Sequence, residues 1–211
     1  MRNLQTYMIM FVVMFSTTIF ANDIYMEQVG STSDITITQE GVDNRIGTAL
    51  NPSYFGGSSN ISTIEQIGSR NELDLTVNGD NTNVTLSTTG NDNVQTITCG
   101  QKTAVTCNGT TINQTIAGDN NTTTTTIGAG TNSKMNISGS SNSVTHTSTS
   151  SGVVASDLTV TGSSNVVNLT QEGTLDKSIK IIVLLPSSST VIEKSVPRTA
   201  TVAVGVCNPT F

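Results

Sequence analysis

The sequence predicts an all-β chain: a parallel β-solenoid of about six to seven two-strand rungs, with a period of about 22 residues. Its core is expected to be thin and made of Gln, Asn and aliphatic side chains. Three observations carry this. A glycine returns every eleven residues, as from Gly57 to Gly68, Gly79 and Gly90. An asparagine often stands three places after it, as in Gly41-Val42-Asp43-Asn44, Gly68-Ser69-Arg70-Asn71 and Gly139-Ser140-Ser141-Asn142. The residues before each glycine alternate between apolar and polar, the periodicity of a strand.

The alternation sorts the side chains. Positions two, four and six before the glycine read Ser62, Ile64, Gln66; Leu73, Leu75, Val77; Val84, Leu86, Thr88; Ile112, Gln114, Ile116. These are the expected inward residues. Positions three and five read Thr36 and Thr38, Asp74 and Thr76, Thr85 and Ser87, Thr123 and Thr125. These are the expected outward residues. Each eleven-residue unit is then one strand and one tight turn. The expected turn glycines are Gly30, Gly41, Gly57, Gly68, Gly79, Gly90, Gly118, Gly128, Gly139, Gly162 and Gly173. Glycine supplies backbone freedom there, and Asn bonds turn backbone groups.

Two units make a rung, and rungs stacked about 4.8 Å apart form two parallel sheets across a thin core. Inward amides are costly unless they bond up and down a column of like side chains. Gln28, Gln39, Gln66 and Gln171 all stand two before a glycine and are expected to share such a column. The rival reading is a disordered Thr/Asn/Gly-rich chain, but disorder does not require phase.

Residues 1–21 read as a secretory signal peptide. Arg2 is their sole charge, Met8 to Phe15 is apolar, and Ala21 ends the segment before Asn22. An N-terminal membrane anchor is the rival. Residues 22–185 are the expected solenoid, with the last strand in Ile179 to Leu185 ended by Pro186. Residues 186–211 are expected to form a separate tail or cap.

The period slips at 46–56, 99–110 and 146–155, which are read as loops at solenoid corners. Three cysteines fit an oxidising compartment. Cys99 and Cys107 flank the second slip and are expected to pair, leaving Cys207 over.

Composition excludes several functions. The chain has 211 residues, 35% hydrophobic, 11% charged, no Trp and a net charge of -6. That is too little apolar mass for an ordinary compact core, and no basic patch invites nucleic acid. His146 is the sole histidine and is read as a loop or surface residue. No catalytic residue, metal site, cofactor or small-molecule substrate is expected. The turns lack the regular aspartate of calcium-binding repeats. The Asn-x-Ser/Thr sequences, such as those at Asn60 and Asn113, follow from composition.

Ile35-Thr36-Ile37-Thr38-Gln39-Glu40-Gly41-Val42-Asp43-Asn44 resembles the curlin repeat. Ile64-Glu65-Gln66-Ile67-Gly68-Ser69-Arg70-Asn71 resembles it too, and Asn165-Val166-Val167-Asn168-Leu169-Thr170-Gln171-Glu172-Gly173 carries the link between units. The resemblance covers roughly residues 24–184. Val77, Thr88, Thr126, Ile137 and Val160 stand where the pattern has Gln, and Thr82 and Thr131 where it has Asn. Curlins are subunits of secreted bacterial amyloid fibres of the biofilm matrix.

The resemblance implies a β-solenoid stacking end to end, with a nucleator or secretion-system proteins as further partners. It also implies stacking residues Gln28, Gln39, Asn44, Gln66, Asn71, Asn93, Asn121, Asn142, Asn165 and Gln171. The expected function is therefore a self-assembling extracellular fibre subunit for adhesion or matrix. The alternative is a solenoid that stays monomeric or joins a finite assembly, such as a surface adhesin or virion appendage. An ice-binding solenoid is a minor variant. Thr36/Thr38 and Thr123/Thr125 suggest it, but Asp, Lys or Glu holds the same sites in other rungs.

Overall fold

The structure is a computed structural model. It describes residues 21–41, 43–48, 50, 52–68, 70–90, 92–100, 107–118, 120–128, 130–139, 141–148, 154–162, 164–171, 177–185, 190–195 and 200–206. Residues 1–20 of the expected signal peptide, Gly173 and Cys207 lie outside these, and Gln171 is described in its backbone only.

Alternating β-branched and polar residues fold as eighteen strands, with no helix among the described residues. The first nine are β1 (Ala21–Ile24), β2 (Glu27–Val29), β3 (Asp34–Glu40), β4 (Asp43–Ile46), β5 (Ser53–Gly56), β6 (Ile61–Ile67), β7 (Glu72–Asn78), β8 (Asn83–Thr89) and β9 (Val94–Cys99). They continue as β10 (Thr111–Ala117), β11 (Thr122–Ile127), β12 (Asn132–Ser138), β13 (Ser143–Ser148), β14 (Val154–Thr161), β15 (Val166–Gln171), β16 (Lys177–Leu185), β17 (Thr190–Ser195) and β18 (Ala200–Val206).

Successive strands go to opposite sheets, and like strands of successive coils pair in parallel. The first sheet runs β1-β4-β7-β9-β11-β13-β15-β17, with β2 and β5 as the second halves of two broken strands. The second sheet runs β3-β6-β8-β10-β12-β14-β16-β18. This is a parallel β-solenoid. Seven of the second sheet's eight strands fall within residues 22–185, at the upper end of the expected rung number.

The ladder does not stop at Leu185. Strand β17 pairs in parallel with β15 and β18 with β16, so residues 190–195 and 200–206 of the expected tail extend the same two ladders. Strand β16 ends at Leu185, before Pro186, as expected, and the parallel ladders resume from Thr190.

Inward and outward positions fall largely as the alternation predicts. Ile64, Leu73, Leu75, Val77, Val84, Leu86, Ile112, Ile116, Met135, Ile137, Leu158, Val160, Val167 and Leu169 are all buried. Strand β11 departs from this. Counting back from Gly128 places Thr123 and Thr125 outward, yet they are 1% and 0% exposed and point into the core. Their phase is set by Asn121 at the start of the strand and by the ladders to β9 and β13. Gly128 follows one residue too early, and the left-handed φ of +69° falls at Gly130 instead.

Candidate functional site

The turn that leads from the second sheet back to the first is built the same way in coil after coil. Gly41, Gly68, Gly90, Gly118, Gly139 and Gly162 have φ between 144° and 153°. Asp92, Asn120, Ser141 and Ser164, two places on, adopt φ of 55° to 58°. Freedom of φ is only half the demand on glycine. A Cβ on Gly90 would overlap the carbonyl oxygen of Gly68 one coil below, and one on Gly118 would overlap that of Gly90. The glycines stack backbone on backbone, and any side chain would push the coils apart.

The asparagines close the same turns from inside. Asn71 Nδ2 donates to Asn44 Oδ1 at 2.7 Å, Asn93 to Asn71 and Asn121 to Asn93 at 2.5 Å, and Asn142 to Asn121 at 2.7 Å. Asn165 continues the column and is fully buried. The sequence gaps between members are 27, 22, 28 and 21 residues. The column therefore stays straight while the coil length changes. Each amide satisfies the one beneath, which removes the penalty of a buried amide.

The glutamines do not form one column. Gln39 and Gln66 lie on neighbouring strands of the second sheet, and Gln66 Nε2 donates to Gln39 Oε1 at 2.9 Å. They also tie the two sheets together: Gln39 Nε2 bonds Arg45 O at 2.8 Å and Gln66 Nε2 bonds Glu72 O at 3.0 Å. Gln28 lies on β2 of the first sheet and caps its own turn, donating to Gly30 O and Ser33 Oγ at 2.9 Å. Gln171 lies on β15, where its backbone partners are Ser148 and Ser195. Equal distance from a glycine gives equal place within a strand, but alternate units belong to opposite sheets. The Gln39–Gln66 column ends at Thr88.

A second amide cluster follows, with members absent from the predicted set. Gln95 donates to Thr88 Oγ1, and Gln114 to Gln95 Oε1. Gln114 Nε2 also reaches Thr123 Oγ1 at 2.7 Å, and Thr125 Oγ1 donates to Gln114 Oε1 at 3.1 Å. The inward Thr residues of β11 exist to satisfy Gln114. Register across the two sheets was the missing signal.

The opposite edge, leading from the first sheet to the second, is less regular. Asn60 there donates to Gly56 O and Gly57 O at 3.1 Å and accepts from Ser33 N at 3.0 Å. In later coils Thr82, Thr110 and Thr131 replace it. Thr110 Oγ1 donates to Gly79 O at 2.7 Å and Thr131 Oγ1 to Cys107 O at 3.1 Å. Gly79 belongs to this edge and meets the Gly57 carbonyl, as the other stacked glycines meet theirs. Cys99 and Cys107 form a disulfide across the connection, with Cα atoms 5.9 Å apart.

His146 is not a surface residue. It sits on β13, 1% exposed, with Nε2 2.9 Å from Ser156 Oγ on the facing sheet. Burial lowers its pKa from 6.5 to about 4, so the ring is neutral near pH 7. Among the described residues Nδ1 has no hydrogen-bond partner and Nε2 meets the Ser156 hydroxyl. Among the described residues no group of three His, Cys, Asp or Glu side chains is placed to hold a metal ion.

Glycine stack and amide ladder define a class, the β-solenoid whose coils are keyed by laddered side chains. Neither a protein-family model, nor a curated protein, nor a solved structure matches this chain. The curlin resemblance rests on the repeat motif alone.

Proposed function

We propose that the chain is a secreted structural subunit that assembles end to end into extracellular curli-like amyloid fibres serving matrix and adhesion. The observation that carries this reading is the continuous inward Asn column, running parallel to the solenoid axis through Asn44, Asn71, Asn93, Asn121 and Asn142. A ladder of identical groups is extended by any like group placed above or below it. In this chain it stops at Asn165, since Ser189 rather than Asn precedes β17, and joining at that end falls to the strand edges. The same bond that joins two coils joins two subunits whose end coils meet in register. The sheets support it. Among the described residues β3 is the last strand of its sheet at one end and β18 at the other, which supports a strand edge at each end. Exposed strand edges are templates for a further strand. Export and the nucleator or secretion-system partners rest on the signal-like segment 1–21 and on the curlin resemblance.

The experiment is direct. Purified chain, incubated at high concentration, should form filaments in negative-stain microscopy, with a meridional reflection near about 4.8 Å. Protein that stays monomeric for days and binds no amyloid dye sinks the fibre reading. It leaves the finitely assembled surface solenoid in its place.

A further inference from the structure

The parallel register gathers the outward residues of the first sheet into a two-dimensional net. In one column Thr98 pairs with Thr126, Thr126 with Thr147 and Thr147 with Thr170. In the next, Thr96 pairs with Thr124, Thr124 with Thr145 and Thr145 with Asn168. A third column holds Val94, Thr122, Ser143 and Val166, with the two valines 41% and 40% exposed. No charged residue occurs in these four coils of the face. The outer face of the second sheet differs, with Glu65, Lys134 and Asp157 at outward positions.

We propose that this face is an ice-binding surface. Its repeat follows from β geometry. Rows lie about 4.8 Å apart and alternate residues along a strand about 6.7 Å apart. Water joined tetrahedrally by hydrogen bonds of about 2.8 Å repeats at about 4.5 Å between second neighbours and about 7.4 Å along the perpendicular axis. The two nets are close enough for several rows to engage at once. Threonine suits the task because its branched side chain is stiff at χ1, so hydroxyl and methyl hold a fixed place. The ladder of the fold fixes the rows. A charged side chain would hold a liquid-like shell of water, and none interrupts these coils. The exposed valines fit an occupant that accepts methyl groups as well as hydroxyls. A protein partner is poorly matched to a face with no charge and no large anchor side chain.

This inference does not rest on fibre formation, since the net lies on the side of the solenoid and not on its ends. The test is ice recrystallisation inhibition and thermal hysteresis of the purified full chain, with Thr124→Lys/Thr145→Lys as the disruptive pair. Ser87→Lys/Thr115→Lys, on the charged face, is the control, and all are checked for an unchanged melting midpoint. Should the disruptive pair fail to fold, Thr124→Tyr/Thr145→Tyr replaces it, since Tyr favours strands. Inhibition by the parent and the control, lost in the disruptive pair, supports the proposal. Absence of both activities in the parent overturns it, as does equal loss in the control. Retention on insoluble cellulose or chitin with no effect on ice also overturns it and reassigns the face to crystalline polysaccharide.

Discussion

At one edge of the solenoid the chain turns six times through a Gly-x-x-Asn sequence, from Gly41 and Asn44 to Gly162 and Asn165, always with two residues between. At the other edge the connections differ. They run over 100–110 between β9 and β10, 128–131 between β11 and β12, and 149–153 between β13 and β14. Asn60 gives way there to Thr82, Thr110 and Thr131. The contrast shows how a solenoid tolerates irregular coils. A ladder keys one edge, so every insertion must be absorbed elsewhere. The Cys99–Cys107 disulfide closes the longest of these connections, where loop closure is otherwise left to hydrogen bonds. The break between β4 and β5 takes up the remaining excess within a strand.

The comparison can be broken by a single methyl group. Gly90→Ala meets a backbone carbonyl one coil below and must hold a φ of 147°. It should cost about 5 kcal/mol or prevent cooperative folding. At the variable edge, Gly130→Ala overlaps the exposed Asn108 side-chain oxygen, lies 3.1 Å from the Asn108 Cα and must hold a φ of 69°. With no carbonyl in its way it should cost about 2 kcal/mol. Thermal unfolding followed by circular dichroism compares them; equal losses would erase the distinction between the edges.

A smaller effect separates the two kinds of cap. Asn93→Leu removes a bond above and a bond below, the donation from Asn121 and the donation to Asn71 Oδ1. Losing two buried amide bonds and placing an apolar side chain in the column should cost about 4 kcal/mol. Thr110→Val loses its bond to Gly79 O and one backbone contact from Thr82 N, and should cost about 2 kcal/mol. Denaturant titration of both variants gives the difference, and a Thr110 variant as damaged as Asn93 would refute a privileged ladder.

The third prediction uses acid. His146 binds a proton at about pH 4 in the fold but near 6.5 when unfolded. The depressed value means that the full stability is present above pH 6.5 and is lost as pH falls through 4. The loss reaches about 3 kcal/mol. His146 and Ser156 bracket the 149–153 connection, so acid should open the variable edge first. Hydrogen exchange near pH 4 should rise in β13 and β14 while the turns at Asn71 and Asn93 stay protected. His146→Leu should flatten the pH dependence; an unchanged profile would remove the imidazole as its cause.

Much of this was legible along the chain. The glycine phase announced the coils, and the alternation assigned Leu73, Leu75 and Leu86 inward without knowledge of any neighbour. Strand period and turn chemistry are local, so residues a few places apart report them. The errors share one cause. Gln28 and Gln171 look equivalent to Gln39 and Gln66 because sequence distance to a glycine does not say which sheet a unit joins. Thr123 and Thr125 look outward because Gly128 falls out of step, and only the ladders to neighbouring coils fix their face. His146 looks like a loop residue because the slip at 146–155 hides that β13 continues to Ser148.

By itself, then, the sequence determined the fold class, the unit of one strand and one turn, and the turn glycines from Gly41 to Gly162 that precede an Asn by three, all consequences of interactions within about one unit of chain. The tertiary structure alone decided which amides stack, which threonines satisfy Gln114 and which make the outer net. Those depend on the offset between coils 21 to 28 residues apart. That offset is set by ladder bonds between strands distant in the chain, and a linear pattern with insertions cannot count it.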